Sequence, residues 1–203
     1  MIAGLPRRRG GGIVLRIMGL LRSRDLLGRS RLPGETAPGS FIEDQYAYAA
    51  QPYGRSTVRE AGCEAIAAYN ALLALRGEAP TLAELTRWFR RRGMVLGGRW
   101  GTAPQAVRSL LERLGLRCGW CTEPACFEAF AAGYEVLILT FYNDVDDLFR
   151  GVHTVCITRD ADGFTAHNAL RDKPTCAYPT LSALMAALPG GRAGGISLLG
   201  INR

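Results

Sequence analysis

The chain has 203 residues, 48% of them hydrophobic and 21% charged, with a formal net charge of +7. That length supports one sizeable core, and no apolar run approaches the roughly 18 residues that suggest a membrane span. The positive charge would favour nucleic acid or an acidic membrane if it covered the fold, but residues 1–37 carry eight arginines against Asp25 and Glu35. The remainder is close to neutral, and no specific nucleic-acid partner is expected.

Residues 1–40 read as a basic, flexible arm. "MIAGLPRRRGGG" is rich in Gly, Arg and Pro. Ile13 to Leu27 sets Val14, Met18 and Leu21 at helical spacing, a short amphipathic face suited to weak contact with an anionic membrane or a partner. "RLPGETAPGS" then reads as a linker. Arg16 and Arg22 interrupt the apolar stretch that a secretory signal would need, so a cytoplasmic protein is expected.

Residues 41–203 read as one globular domain. Helical patterns cover Gly62 to Arg76, Leu82 to Arg92 behind Thr81, and Pro104 to Leu114 behind Thr102, with Glu84 completing a capping box on Thr81. A glycine-rich loop, "GGRWGTAP", joins the last two. After a short helical piece at Phe127 to Ala132 the pattern changes to "EVLILTFY", "GVHTVCITRD" and "DGFTAHNAL". These read as adjacent antiparallel strands, with 153–157 and 164–168 a hairpin across "RDADG". "TLSALMAAL" is a short helix and "GISLLGIN" a closing strand. Helices first and strands afterwards predict an α+β fold, a helical N-terminal part packed on a C-terminal antiparallel sheet.

The six cysteines are neither dense nor regularly spaced, and read as reduced thiols. "CGWC" at Cys118 to Cys121 lacks the second paired element of a zinc site, and no metal or other cofactor is expected. The acidic "NDVDDLF" loop lacks the glycine and terminal glutamate of a calcium loop, and reads as a loop over a cleft just ahead of His153.

Three residues point to thiol chemistry. Cys63 follows Gly62 at a helix start, where free backbone N–H groups and the helix dipole favour a thiolate. His153 projects from a strand face it shares with Val155 and Ile157, while Thr154 and Cys156 point the other way. The only other histidine, His167, is expected at a surface or edge. Asn168 lies near the far end of the strand that pairs with the His153 strand. Cys63, His153 and Asn168 thus supply nucleophile, base and orienting amide.

"AGCEAIAAYNALLAL", "WGTAPQAVRSLLERLGL", "YEVLILTFYN" and "GVHTVCITRDADGFTAHNAL" together resemble the papain-like cysteine peptidase superfamily, and within it bacterial proteins similar to the bacteriocin-processing double-glycine peptidases. The resemblance spans about residues 50–170 and implies a papain-like fold with Cys63 as nucleophile, His153 as general base and Asn168 as its orienter. The family's oxyanion glutamine lies about six residues before the cysteine. Thr57 stands there instead, and Gln51 is further upstream, so the expected oxyanion donors are the Cys63 N–H and a hydroxyl of Ser56 or Thr57. Glu64 occupies the place of the aromatic that follows the papain cysteine, and its carboxylate would raise the thiol's pKa if it faced it. The expected activity is cleavage of a peptide or amide bond in a peptide or protein substrate through an acyl-enzyme. The alternatives are an acyltransferase or peptide-tailoring enzyme using the same residues, or a catalytically weak module that binds a peptide or protein.

Overall fold

The computed structural model describes residues 39–169 and 175–203. The Ile13–Leu27 helix of the basic arm, and Leu170 at the end of the third predicted strand, lie outside the described residues. The described chain is α+β. A two-strand ribbon, β1 (Pro52–Tyr53) and β2 (Ser56–Thr57), leads into α1 (Val58–Ala61), α2 (Cys63–Arg76), α3 (Leu82–Arg92) and α4 (Pro104–Arg113). There follow β3 (Arg117–Cys121), α5 (Phe127–Ala131), β4 (Val136–Tyr142), β5 (Val152–Asp160), β6 (Gly163–His167), β7 (Ala177–Tyr178), α6 (Leu181–Ala187) and β8 (Gly195–Asn202).

Local chemistry accounts for the helix limits. The Thr81 hydroxyl accepts the Glu84 N–H at 3.3 Å while the Glu84 carboxylate accepts the Thr81 N–H at 2.8 Å, closing the predicted capping box at α3. Pro104 opens α4, where its missing N–H costs no bond. At the other end of α2, Gly77 adopts a left-handed φ of 72° and returns its N–H to Leu73 O.

The helices differ in what they bury. α3 turns Leu82, Leu85 and Phe89 inward and leaves Arg90, Arg91 and Arg92 exposed. α2 is buried continuously from Cys63 to Leu73, which is why its apolar residues are not confined to one stripe. It is the central helix, and Asn70 on it is the anchor for the segment before the ribbon. The Asn70 amide accepts the Ile42 N–H and donates to Ile42 O, both at 2.9 Å.

The main sheet is antiparallel, in the order β3-β8-β4-β5-β6-β7. β4, β5 and β6 are neighbours as their sequences predict. β3 is formed by "RCGWC", which carries too short an apolar pattern to be read as a strand. Val136, Ile138, Cys156, Leu199 and Ile201 face α2, α3 and α4, whereas Leu137, Leu139, Val155, Ile157 and Leu198 face α5 and α6. A strand buried from Val136 through Phe141, as β4 is, needs cover on both sides, and the two short late helices supply the second layer. Among the described residues no helix is long and apolar enough to cross a membrane.

Replacing Asn70 by alanine leaves the Ile42 N–H and C=O buried without partners, and is expected to cost about 2–4 kcal/mol in urea denaturation with an unchanged denaturant slope. A loss under about 0.5 kcal/mol would show that the anchor contributes nothing.

Candidate functional site

Cys63 is the first residue of α2, and Gly62 before it bonds its N–H back to Val58 O, so α1 and α2 follow each other with only a one-residue break. The break directs the Cys63 side chain toward β5. β6 pairs with β5 only from Cys156 to Asp160, and on the unpaired stretch before it the Cys63 sulfur accepts the backbone N–H of Thr154. It also accepts the N–H of Glu64, as a residue at a helix start can.

The sulfur's other neighbour is a carboxylate. The thiol donates to Glu64 Oε2 at 3.4 Å, and Glu64 is only 4% exposed. The glycine-rich loop closes over this pair. Gly101, at φ 67°, lies so close that a Cβ there would stand 3.0 Å from Glu64 Oε2, and the Thr102 N–H donates to the carboxylate. The Thr102 hydroxyl in turn bonds the hydroxyl of Tyr53, which is wholly buried on β1. Gly54 holds the ribbon against the same loop: Arg55 N–H donates to Gly97 O at 2.8 Å, and a Cβ on Gly54 would collide with that oxygen at 2.1 Å. Behind Glu64 is a cavity with room for about one water, bounded by Val107, Trp120 and the polar side chains of Thr140, Thr154 and Ser197.

Burial raises the Glu64 carboxyl to about 7, against the pull of its own N–H and that of Thr102. Burial, then the adjoining Glu64 charge, push the Cys63 thiol well above its ordinary range. The sequence predicts a thiolate from helix position alone; the surroundings hold a protonated thiol, because desolvation and a carboxylate outweigh two N–H groups.

His153 leaves β5 on the face of Val155 and Ile157, edge-on to Phe141 with ring centroids 5.7 Å apart. α2 packs on the opposite face, that of Cys156. Among the described residues no hydrogen bond joins Cys63 to the His153 ring. The ring is nevertheless fixed. Its Nε2 lies 2.6 Å from the Asn168 carbonyl, which can only accept, so the proton is on Nε2 and Nδ1 is the free acceptor. Burial lowers the imidazole's pKa, with the Asn168 carbonyl opposing.

Asn168 therefore orients His153 through its backbone, not through its amide. Its φ is 64°, a left-handed position that asparagine tolerates, and this turns the carbonyl toward the ring. The side-chain amide instead bonds Gln45, accepting its N–H at 3.0 Å and donating to its Oε1 at 3.1 Å. Ser56 and Thr57 also depart from expectation. Both hydroxyls donate to Glu60 Oε2, at 2.7 and 3.2 Å, because Thr57 caps α1. They are engaged away from Cys63.

Gln51, which spacing set aside, lies beside the start of α1. Gln51 O accepts the Val58 N–H at 2.9 Å across the ribbon, so the six residues of the hairpin separate Gln51 from α1 in sequence but not in space. Among the described residues its Nε2 is buried and has no hydrogen-bond partner. The ribbon's pairing of Pro52 with Thr57 was the signal that could have found it.

His167 is not at the surface. It is 5% exposed, stacks on Phe41 at 4.0 Å, and bonds Glu43 Oε1 at 2.6 Å and Thr158 Oγ1 at 2.9 Å. Cys118 and Cys121 of "CGWC" sit on opposite faces of β3, one against each core, so they do not converge. Among the described residues no group of three or more His, Cys, Asp or Glu is arranged to hold a metal ion. The acidic loop carries Leu148 and a fully exposed Phe149 immediately before β5. No protein-family model matches the chain, and no curated protein matches it.

Glu64 makes stability fall as pH rises. An acid whose folded pKa is raised stays protonated in the fold while the unfolded chain ionises, so the penalty grows between about 4.5 and about 7 and is complete above that. Glu64→Gln is expected to gain on the order of 3 kcal/mol relative to wild type between pH 4 and pH 8, by denaturant titration at both. A difference independent of pH would contradict the raised carboxyl.

Proposed function

We propose that this chain is a papain-like thiol hydrolase that cleaves a peptide or amide bond with Cys63 as nucleophile. The observation that carries this reading is the Cys63 sulfur at the first residue of a buried helix, under the Thr154 N–H and one residue along β5 from an imidazole fixed by Asn168. Cys63 attacks the carbonyl carbon, the thiol proton is passed on to the leaving nitrogen, and the thioester is opened by water. His153, with Nδ1 free to accept, is suited to draw the proton from that water. The same thioester opened by an amine gives the acyltransferase or peptide-tailoring variant of this activity, and the acceptor is chosen by loops, not by these residues.

The oxyanion donors on this reading are the Cys63 N–H and the Gln51 amide. A buried donor without a partner is costly, and a developing oxyanion is the kind of group that would satisfy it. A second reading, a module that binds a peptide without turning it over, is favoured by the protonated thiol and by the engagement of Ser56 and Thr57 with Glu60. On either reading the occupant is a peptide or protein. On this reading the basic arm, residues 1–40, makes weak contact with an anionic membrane or a partner.

Incubation with a set of peptidyl fluoromethyl ketones is expected to give a covalent adduct mapped by mass spectrometry to Cys63 and lost in Cys63→Ser. Gln51→Ala is expected to slow that adduct by roughly 100-fold without lowering thermal stability. Peptide binding seen by calorimetry with no adduct on Cys63 would overturn the hydrolase in favour of the binding module.

A further inference from the structure

We propose that Glu64, and not His153, accepts the Cys63 proton when the sulfur attacks, and returns it to the leaving nitrogen. The inference rests on the thiol acyl-transfer reading above and assigns the proton within it. The thiol already donates to Glu64 Oε2 at 3.4 Å, whereas among the described residues no hydrogen bond joins it to the His153 ring, whose Nε2 is held by Asn168 O at 2.6 Å. A hydrogen bond from the attacking group to its base is the geometry that proton transfer requires.

The step balances without any outside reagent. As the S–C bond forms, the S–H proton moves to the Glu64 carboxylate, which becomes a neutral acid, and the negative charge passes to the substrate oxygen. Collapse of that oxyanion expels the nitrogen, which takes the proton back from Glu64. The carboxylate is regenerated and a thioester remains on Cys63. One negative charge is present through the step, first on the carboxylate and then on the substrate oxygen. Glu64 is placed for this: it is buried, its oxygens lie against Gly101, and the Thr102 N–H donates to the carboxylate.

The groups acting on this carboxylate are few. On its own helix there is the Cys63 thiol and from β1 the Tyr53 hydroxyl, whose ionisation the Glu64 charge and burial both suppress. The small cavity behind it is lined from α4 by Pro104 and Val107, and from the sheet by Trp120, Ile138, Thr140, Thr154, Ser197 and Leu199, none of which titrates in the working range. Its raised pKa comes from burial, opposed by its own N–H, the Cys63 thiol and the Thr102 N–H.

Acetylation of Cys63 in the full chain by 4-nitrophenyl acetate, quantified by peptide mass spectrometry with exposed Cys126 as internal reference, tests this. The wild-type rate at Cys63 is expected to rise through an inflection at about pH 7, as Glu64 ionises. Glu64→Gln should lose that inflection and fall roughly 100-fold at pH 8, while the inflection persists in His153→Gln whatever that variant's rate. A Glu64→Gln protein that reacts as fast as wild type, or faster, would show that the carboxylate only disfavours the thiolate, and overturns the assignment. So does a wild-type profile that climbs without inflection past pH 9, whatever the variants do. Native wild type left unacetylated at Cys63 at every pH, while Cys126 reacts, sinks the nucleophile reading itself and the proton assignment with it.

Discussion

The burial of α2 is the constraint from which the site follows. A helix covered from Cys63 to Leu73 by the sheet on one side and by α3 and α4 on the other has no freedom to rotate or slide. Its first residue must then meet the sheet wherever the sheet is incomplete, and that is the stretch of β5 ahead of Cys156, where β6 no longer pairs. The same packing that makes the core fixes the sulfur against Thr154. It also forces Glu64, the second residue of the helix, into the interior, where a carboxylate is costly unless something binds it.

The glycine-rich loop answers that cost. Gly101 lets the chain pass close to the Glu64 oxygens, Thr102 supplies an N–H, and the Tyr53–Thr102 hydroxyl pair closes the layer above. What looks in isolation like a flexible loop between two helices is the lining of a buried acid. The ribbon packs on the same loop through Gly54 and Gly97. Stability and the proposed chemistry draw on the same few contacts, in opposite directions. A buried carboxylate that weakens the fold above neutrality is also the group best placed to take a proton from Cys63.

Much of this was legible in the chain. The capping box at Thr81, the apolar alternation of β5 and the unbroken apolar run of β4 give the right elements at nearly the right limits, because caps and period are local properties. The partition of β5, with His153, Val155 and Ile157 on one face, is also visible from its period of two. Other features were not. β3 is too short and mixed to announce itself, and His167 reads as an edge residue because its partners, Glu43 and Phe41, lie more than 120 positions away. Gln51 was set aside on spacing, since a count along the chain cannot see that a hairpin has folded back on itself.

The sequence by itself determined which residues are candidates for chemistry: a cysteine at a helix start followed by a glutamate, a histidine on an apolar strand face and an asparagine at the next strand's end. Only the tertiary structure decided how they are paired. Helix position favours a thiolate through a local field, but the charge state of Cys63 depends on desolvation and on Glu64, both of which exist only once α2 is buried. Likewise an asparagine can orient a histidine by amide or by carbonyl, and the left-handed turn at Asn168 chose the carbonyl while Gln45 took the amide. Local pattern sets what a side chain is and which face it leaves from. The partner it finds is set by packing between segments distant in sequence, which no local pattern encodes.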